Sequence, residues 1–256
     1  MEKINRYTFF VILLVGCSYQ KKPQFTEEKL IQPTVYLTSD DGPVAGTEQL
    51  LQVAEEEQVP ITFFLIGSQL DNDEQNGTRL KMLKSSNFAF LANHSFSHAL
   101  YYDRFYSEPS YILSDFLKNE KKLGLSATSR YSRIPARNLF SLPDNLVNRT
   151  ELFESELIVE SKVYAILIKN GFSLIGWDYY WDRNIRTGRP DPEDGRLAAA
   201  EALAMLDKGK TVKPGKLVVI LHDDMFSERF GGGERLRVFI KSLRSQELEF
   251  MPLDVY

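Results

Sequence analysis

The chain of 256 residues has one cysteine, three histidines and two tryptophans. One thiol closes no internal disulfide, so this is not a disulfide-stapled scaffold. Lys and Arg number 31 against 35 Asp and Glu, a net charge of −4. That balance lacks the basic footprint that nucleic-acid binding needs, and no nucleic-acid partner is expected. No internal repeat or low-complexity tract interrupts the chain, and nothing in its composition suggests disorder or a fibre. Its longest apolar run, from about Tyr7 to Gly16, is too short to cross roughly 30 Å of hydrocarbon as a helix.

Hydrophobic residues make up 43% of the sequence, enough for the core of one large domain. The N-terminus, "MEKINRYTFFVILLVGCSYQ", places Lys3 and Arg6 ahead of the apolar stretch, which suits a secretory signal over residues 1–16. The stretch ends Leu14-Val15-Gly16-Cys17 and resembles the lipobox of bacterial lipoproteins. That resemblance implies a lipid on Cys17 and an exported protein, anchored to a membrane and facing the periplasm or cell surface. Ser18 is not the aspartate that holds some lipoproteins at the inner membrane, which leans toward an outer-membrane address. Residues 17–33 are polar, contain Pro23 and Pro33, and read as a tether. A single domain is expected over residues 34–256.

In that domain short β-type runs alternate with longer amphipathic stretches. Strands are expected at Thr34–Thr38, Ile61–Ile66, Phe88–Ala92, Tyr131–Ile134, Phe172–Gly176 and Leu217–Leu221, with a weaker one near Leu248–Leu253. Helices are expected at Thr47–Glu57, Thr78–Ser85, Ser110–Leu123, Glu151–Asn170, Pro192–Asp207 and Glu234–Ser245. The alternation argues for an α/β fold with a mostly parallel sheet or barrel. Polar residues gather at the strand ends: Asp40 and Asp41, His94, Arg133, Trp177 and Asp178, and His222. Such folds assemble their chemistry at one end of their strands.

In "NHSFSH", the four-residue spacing of His94 and His98 puts both rings on one face of a helical turn, within reach of one metal ion. Neutral imidazole suits zinc, and a catalytic zinc keeps three protein ligands and an open position. The zincin pattern also spaces two histidines by four but needs Glu after the first, where this chain has Ser95. Buried structural histidines have the same spacing. "SDDGP" equally makes a good turn or helix cap. Beside a histidine pair, though, its two carboxylates can divide labour, one ligating and one taking a proton.

"TSDDGP", "HSFSH", "SRIPAR" and "ILHDD", with "ITFFLIG" after the first, resemble in order and distance the polysaccharide deacetylases of the NodB-homology type, carbohydrate esterase family four. The resemblance covers about Thr34 to the C-terminus. It implies a distorted (β/α) barrel of about seven parallel strands and metal-dependent removal of acetyl groups from N-acetylated sugars. It makes Asp41, His94 and His98 the ligands of a divalent ion, most often zinc, and Asp40 the general base oriented by Arg133. His222 becomes the general acid, and the Ala136 N–H the oxyanion donor. Leu221 would flank the acetyl methyl, while Trp177 and Tyr180 would line a sugar groove. Among "WDYYW", strand alternation sends about half the rings to the core.

The implied substrate is a cell-envelope polysaccharide, peptidoglycan or poly-N-acetylglucosamine. Ser39 and Ala136 depart from the family pattern, which has an aromatic and a tyrosine there. The fourth motif matches least, and either Asp178 or Asp182 would serve as partner to His222. Two alternatives stand beside deacetylation: a catalytically impaired carbohydrate-binding protein on the same fold, and an O-acetyl esterase.

Overall fold

The structure is a computed structural model that describes residues 32–127 and 130–256. The expected signal segment, Cys17 and all but the end of the tether lie outside the described residues. The described residues form one compact unit. Seven parallel strands build a curled half-barrel: β1 (Thr34–Asp40), β2 (Ile61–Leu65), β3 (Ala89–Asn93), β4 (Tyr131–Ser132), β5 (Ser173–Leu174), β6 (Tyr179–Tyr180) and β7 (Lys216–His222). Their order across the sheet is β5-β4-β3-β2-β1-β7-β6. A short strand, β8 (Glu249–Phe250), pairs with the start of β1. Helices α1 (Thr47–Glu57), α2 (Gln75–Ser85), α3 (Tyr102–Ser107), α4 (Pro109–Leu123), α5 (Glu154–Lys169), α6 (Gly195–Asp207) and α7 (Glu234–Arg244) lie between them. The expected strands and helices are all present, most within one or two residues at each end. Strand β6 and helix α3 were not anticipated.

Two layers of apolar packing follow from strand alternation. Val35 and Leu37 of β1, Phe63 of β2 and Leu217, Val219 and Leu221 of β7 share a core with α1, α6 and α7. Tyr36, Phe64, Ala92 and Val218 face the other way, into the curl of the sheet, where they meet Phe140, Ile175 and Leu253. The same alternation, continued to the strand ends, directs Thr38, Asp40, His94 and His222 into the mouth of the half-barrel. The register completes the arrangement, because Asp40 lies opposite His222 where β1 pairs with β7.

Candidate active site and metal centre

Asp40 ends β1, and Asp41 begins the loop to α1 in a left-handed conformation, φ 73°. Beneath that loop lies Asp223, fully buried. Its carboxylate accepts hydrogen bonds from Ser39 Oγ and Thr47 Oγ1, and a Cβ at Gly42 would collide with its Oδ2. Burial pushes the Asp223 carboxyl up to about 7. This brace went unread in the sequence, although its signal was the acid directly after the terminal histidine of "ILHDD". It also accounts for Ser39: the hydroxyl points out of the barrel to Asp223, where an aromatic ring would not.

His94 and His98 do not occupy a helical turn. Residues 94–100 form an irregular loop, with left-handed φ at Ser95 (67°), His98 (51°) and Ala99 (57°). Side chains from neighbouring elements take up its amide groups and so outcompete the helical pattern. Asp115 of α4 accepts from the N–H groups of Phe96 and Ser97 at 2.8 and 3.1 Å. Asn93 accepts from Ser95 N–H at 2.9 Å, and Ser95 Oγ accepts from His98 N–H at 3.0 Å. Asn119 of α4 in turn donates to Asn93 at 2.8 Å.

The loop still brings the two rings to one place. His94 Nε2 lies 3.4 Å and His98 Nε2 3.1 Å from Asp41 Oδ1. One ligand atom from each of the three residues lies within 4.8 Å of the others. The donor set fits a divalent cation. His94 Nδ1 sits 2.9 Å from the Arg133 carbonyl oxygen; a carbonyl only accepts, so Nδ1 carries the proton and Nε2 presents its lone pair toward Asp41. Asp41 Oδ1 is buried without a hydrogen-bond partner. A lone pair and a carboxylate oxygen facing each other need a positive charge between them. Burial opposes ionisation of Asp41, yet contacts to His94 and His98 prevail and hold its carboxyl well below the usual range. Burial likewise opposes protonation of His94, but the Asp40 and Asp41 carboxylates override it and raise that imidazole, the same pull on positive charge that a cation at Nε2 would answer.

Asp40 is oriented from behind by Arg133, fully buried in the mouth. Arg133 Nη1 donates to Asp40 Oδ1 at 2.7 Å and to Thr38 Oγ1 at 2.8 Å. Its remaining donors reach the carbonyl oxygens of Ile175 at 2.9 Å and Gly176 at 2.7 Å. The guanidinium also lies 4.2 Å from the Phe64 ring centroid and 5.7 Å from that of Trp177. Asp40 Oδ2 is left facing His94 Nε2 at 3.5 Å.

His222 Nε2 is 3.7 Å from Asp41 Oδ2. Neither expected carboxylate supports it: His222 Nδ1 is buried with no hydrogen-bond partner. Asp178 is committed elsewhere, accepting from Val212 N–H and Val218 N–H and pairing with Arg149. Asp182 is exposed and accepts from Arg183 N–H at 2.7 Å.

Ala136 is exposed, with a left-handed φ of 53°. Tyr180 is half-exposed and sits between Trp177, 6.0 Å away by ring centroids, and His222, 5.6 Å away. Of the other two rings, Tyr179 and Trp181 are buried, Trp181 stacking on Phe239 at 4.8 Å. Leu221 does not face the site. It is wholly buried in the layer between sheet and helices, because it alternates with the inward-facing Ile220 and His222.

A family model described as polysaccharide deacetylase matches residues 27–146. The chain is 23% identical over 205 residues to a chitin disaccharide deacetylase of Vibrio alginolyticus; the match covers 58% of this chain, which spans about half the length of that relative, 47%. Among solved structures it is similar to the catalytic domain of a peptidoglycan N-acetylglucosamine deacetylase from Eubacterium rectale. That comparison has a TM-score of 0.62 at 17% identity, covering 88% of this chain and 90% of the other. A polysaccharide deacetylase from Bacillus cereus gives 0.56 at 20% identity, covering 86% and 92%. A CE4 family pseudoenzyme from Bacillus anthracis gives 0.57 at 16% identity, covering 88% and 65%. The chain has the half-barrel fold of NodB-type deacetylase structures.

Proposed function

We propose that the chain is a polysaccharide deacetylase of the NodB-homology type, removing N-acetyl groups from a cell-envelope polysaccharide, peptidoglycan or poly-N-acetylglucosamine, with zinc at Asp41, His94 and His98. One observation carries the reading: Asp40, Asp41, His94, His98, Arg133 and His222 converge on one mouth of the half-barrel. A divalent cation held there supplies Lewis acidity, polarising an amide carbonyl and acidifying water.

The chain's own residues do the rest. Arg133 occupies Asp40 Oδ1 and leaves Oδ2 free to accept the proton of the attacking water. Ala136, exposed on a turn with φ 53°, gives its N–H to the developing oxyanion in this reading, a contact typically worth about 2.7–4 kcal/mol. His222, whose Nε2 lies 3.7 Å from Asp41 Oδ2, gives a proton to the departing nitrogen as the C–N bond breaks. Acetate and a free amino sugar result.

Acetate release from N-acetylglucosamine oligomers, with and without added zinc, tests the proposal. Full activity in His94→Ala would remove the metal assignment, and wild-type activity in Asp40→Asn the base. Lipidation of Cys17 and anchoring at a membrane facing the periplasm or cell surface belong to the same reading. Incorporation of labelled fatty acid, lost in Cys17→Ala, is their test.

The unpartnered Nδ1 of His222 favours a second reading, a sugar-binding protein on this fold without turnover. Its signature is oligomer binding by calorimetry with no acetate released at saturating zinc. Comparison of N-acetyl with O-acetyl substrates separates the deacetylase from an O-acetyl esterase.

A further inference from the structure

The loop that carries His98 runs directly into exposed Leu100, Tyr101 and Tyr102, the last with 54% of its surface open. Tyr102 is anchored nonetheless. Its hydroxyl accepts from Arg137 Nη2 at 2.7 Å, and its ring packs on Tyr106 with centroids 4.6 Å apart. Arg137 is buried and makes a two-pronged pair with Glu160 at 2.6 and 2.8 Å. Tyr106 in turn donates its hydroxyl to the Pro135 carbonyl at 2.5 Å. Tyr102, Tyr106 and the turn bearing Ala136 are thus one hydrogen-bonded unit.

Beside this unit is an open groove of about 390 Å³ between α3 and the first turns of α5, lined among others by Tyr102, Tyr106, Ser107, Ser155 and Glu156. Helix α5 precedes the parallel strand β5, so its N-terminal end lies at the carboxyl ends of the strands, the face that holds His94 and His98.

We propose that this groove is a subsite for a second pyranose unit of the glycan chain, with the Tyr102 ring as its stacking platform. The proposal rests on the glycan reading above. The chemistry of the walls selects the ligand. Tyrosine offers an apolar face to the C–H face of a sugar ring, while Ser155 offers a hydroxyl, Ser107 an acceptor oxygen whose proton goes to the Asp103 carbonyl, and Glu156 the carboxylate oxygen not taken by Phe153 N–H. No Lys or Arg lines the groove, whereas Asp103, Glu156 and Glu160 do. A neutral or amino sugar therefore fits, and a phosphate or acidic sugar does not. Because the ring is already held by Arg137, little side-chain freedom is lost on binding.

Calorimetric titration of the zinc-loaded protein with N-acetylglucosamine monomer and pentamer tests this. The pentamer is expected to bind wild type about tenfold more tightly than the monomer, and Tyr102→Ala to erase that advantage. Tyr102→Phe keeps the ring and should keep most of the advantage. Ser155→Trp, at an exposed position, should erase it by filling the groove with the platform intact. Equal zinc affinity and melting temperature across the variants separate a lost subsite from a damaged fold.

The proposal is overturned if wild type shows no length preference, or if Tyr102→Ala and Ser155→Trp both retain it. Acetate release is scored separately. Length-dependent binding without release sinks the deacetylase reading and leaves the subsite standing, while release without length preference does the opposite.

Discussion

Replacing Arg133 by methionine probes the joint on which the mouth depends. The guanidinium serves four acceptors, Asp40 Oδ1, Thr38 Oγ1, Ile175 O and Gly176 O, within 2.7–2.9 Å. It is wholly buried, and Asp40 nearly so. Methionine approximates the stem and supplies no donor, so a buried carboxylate loses its counter-charge and two carbonyls lose their partners. Breaking a buried ion pair from one side costs about 3–5 kcal/mol. Most of that cost should come from Asp40 left charged and alone. Asp40→Asn in the same chain should therefore restore a substantial part of it, a coupling of about 1–3 kcal/mol in a double-mutant cycle. Arg133→Lys should fall between, since an ammonium restores charge but cannot fork to carboxylate and carbonyls at once. Urea denaturation of the four chains, wild type, both single variants and the double, measures the coupling without reference to activity. A loss under about 1 kcal/mol in Arg133→Met, or strict additivity with Asp40→Asn, would refute the reasoning.

Three further outcomes are expected. Burial pushes Asp223 to about 7, against roughly 3.9 in the unfolded chain. The native state thus holds the extra proton between those values, and this carboxyl makes stability fall as pH rises through that window, by up to about 4 kcal/mol. Asp223→Asn should flatten the slope of melting temperature against pH over that range relative to wild type, and an unchanged slope would contradict it. Leu221→Ala should cost about 2–5 kcal/mol by denaturation, as a buried truncation does, while leaving sugar affinity unchanged; a change in affinity alone would return Leu221 to the site. Ala136→Pro removes the N–H and sets φ near −65° in place of 53°, and acetate release should drop about 100-fold or more. Ala136→Gly suits the turn and should retain activity.

The elements that could be read in advance were those with strong local periodicity. "TEQLLQVAEEE" and "KLVVILH" became α1 and β7 with little change at their ends. Helix α3, "YDRFYS", is six residues long, too short for a 3.6-residue period to stand out, and is held by tertiary contacts such as Arg137 to Tyr102. Strand β6 is two residues paired to β7, which no local pattern announces. The histidine spacing pointed to one shared ion site, and the rings do meet. They meet on a loop, because Asp115, 19 residues away, takes the amide groups that a helix would have used. The carboxylate expected for His222 failed for a similar reason: Asp178 is consumed by the main chain of Val212 and Val218 and by Arg149.

What the amino-acid order settled by itself is parity. With a side-chain period of two and parallel strands in register, Thr38, Asp40, His94 and His222 had to share one face and Leu221 the other. The resemblance had already paired Arg133 with Asp40, which the fold holds 2.7 Å apart. What only the folded chain decided is how loops and other charges are paired across distance, Asp115 to the amide groups of the His98 loop and Arg137 to Glu160. Those contacts depend on the curl of the sheet and the seating of α3 to α5, which are set by packing among many residues at once and leave no signature in any short stretch.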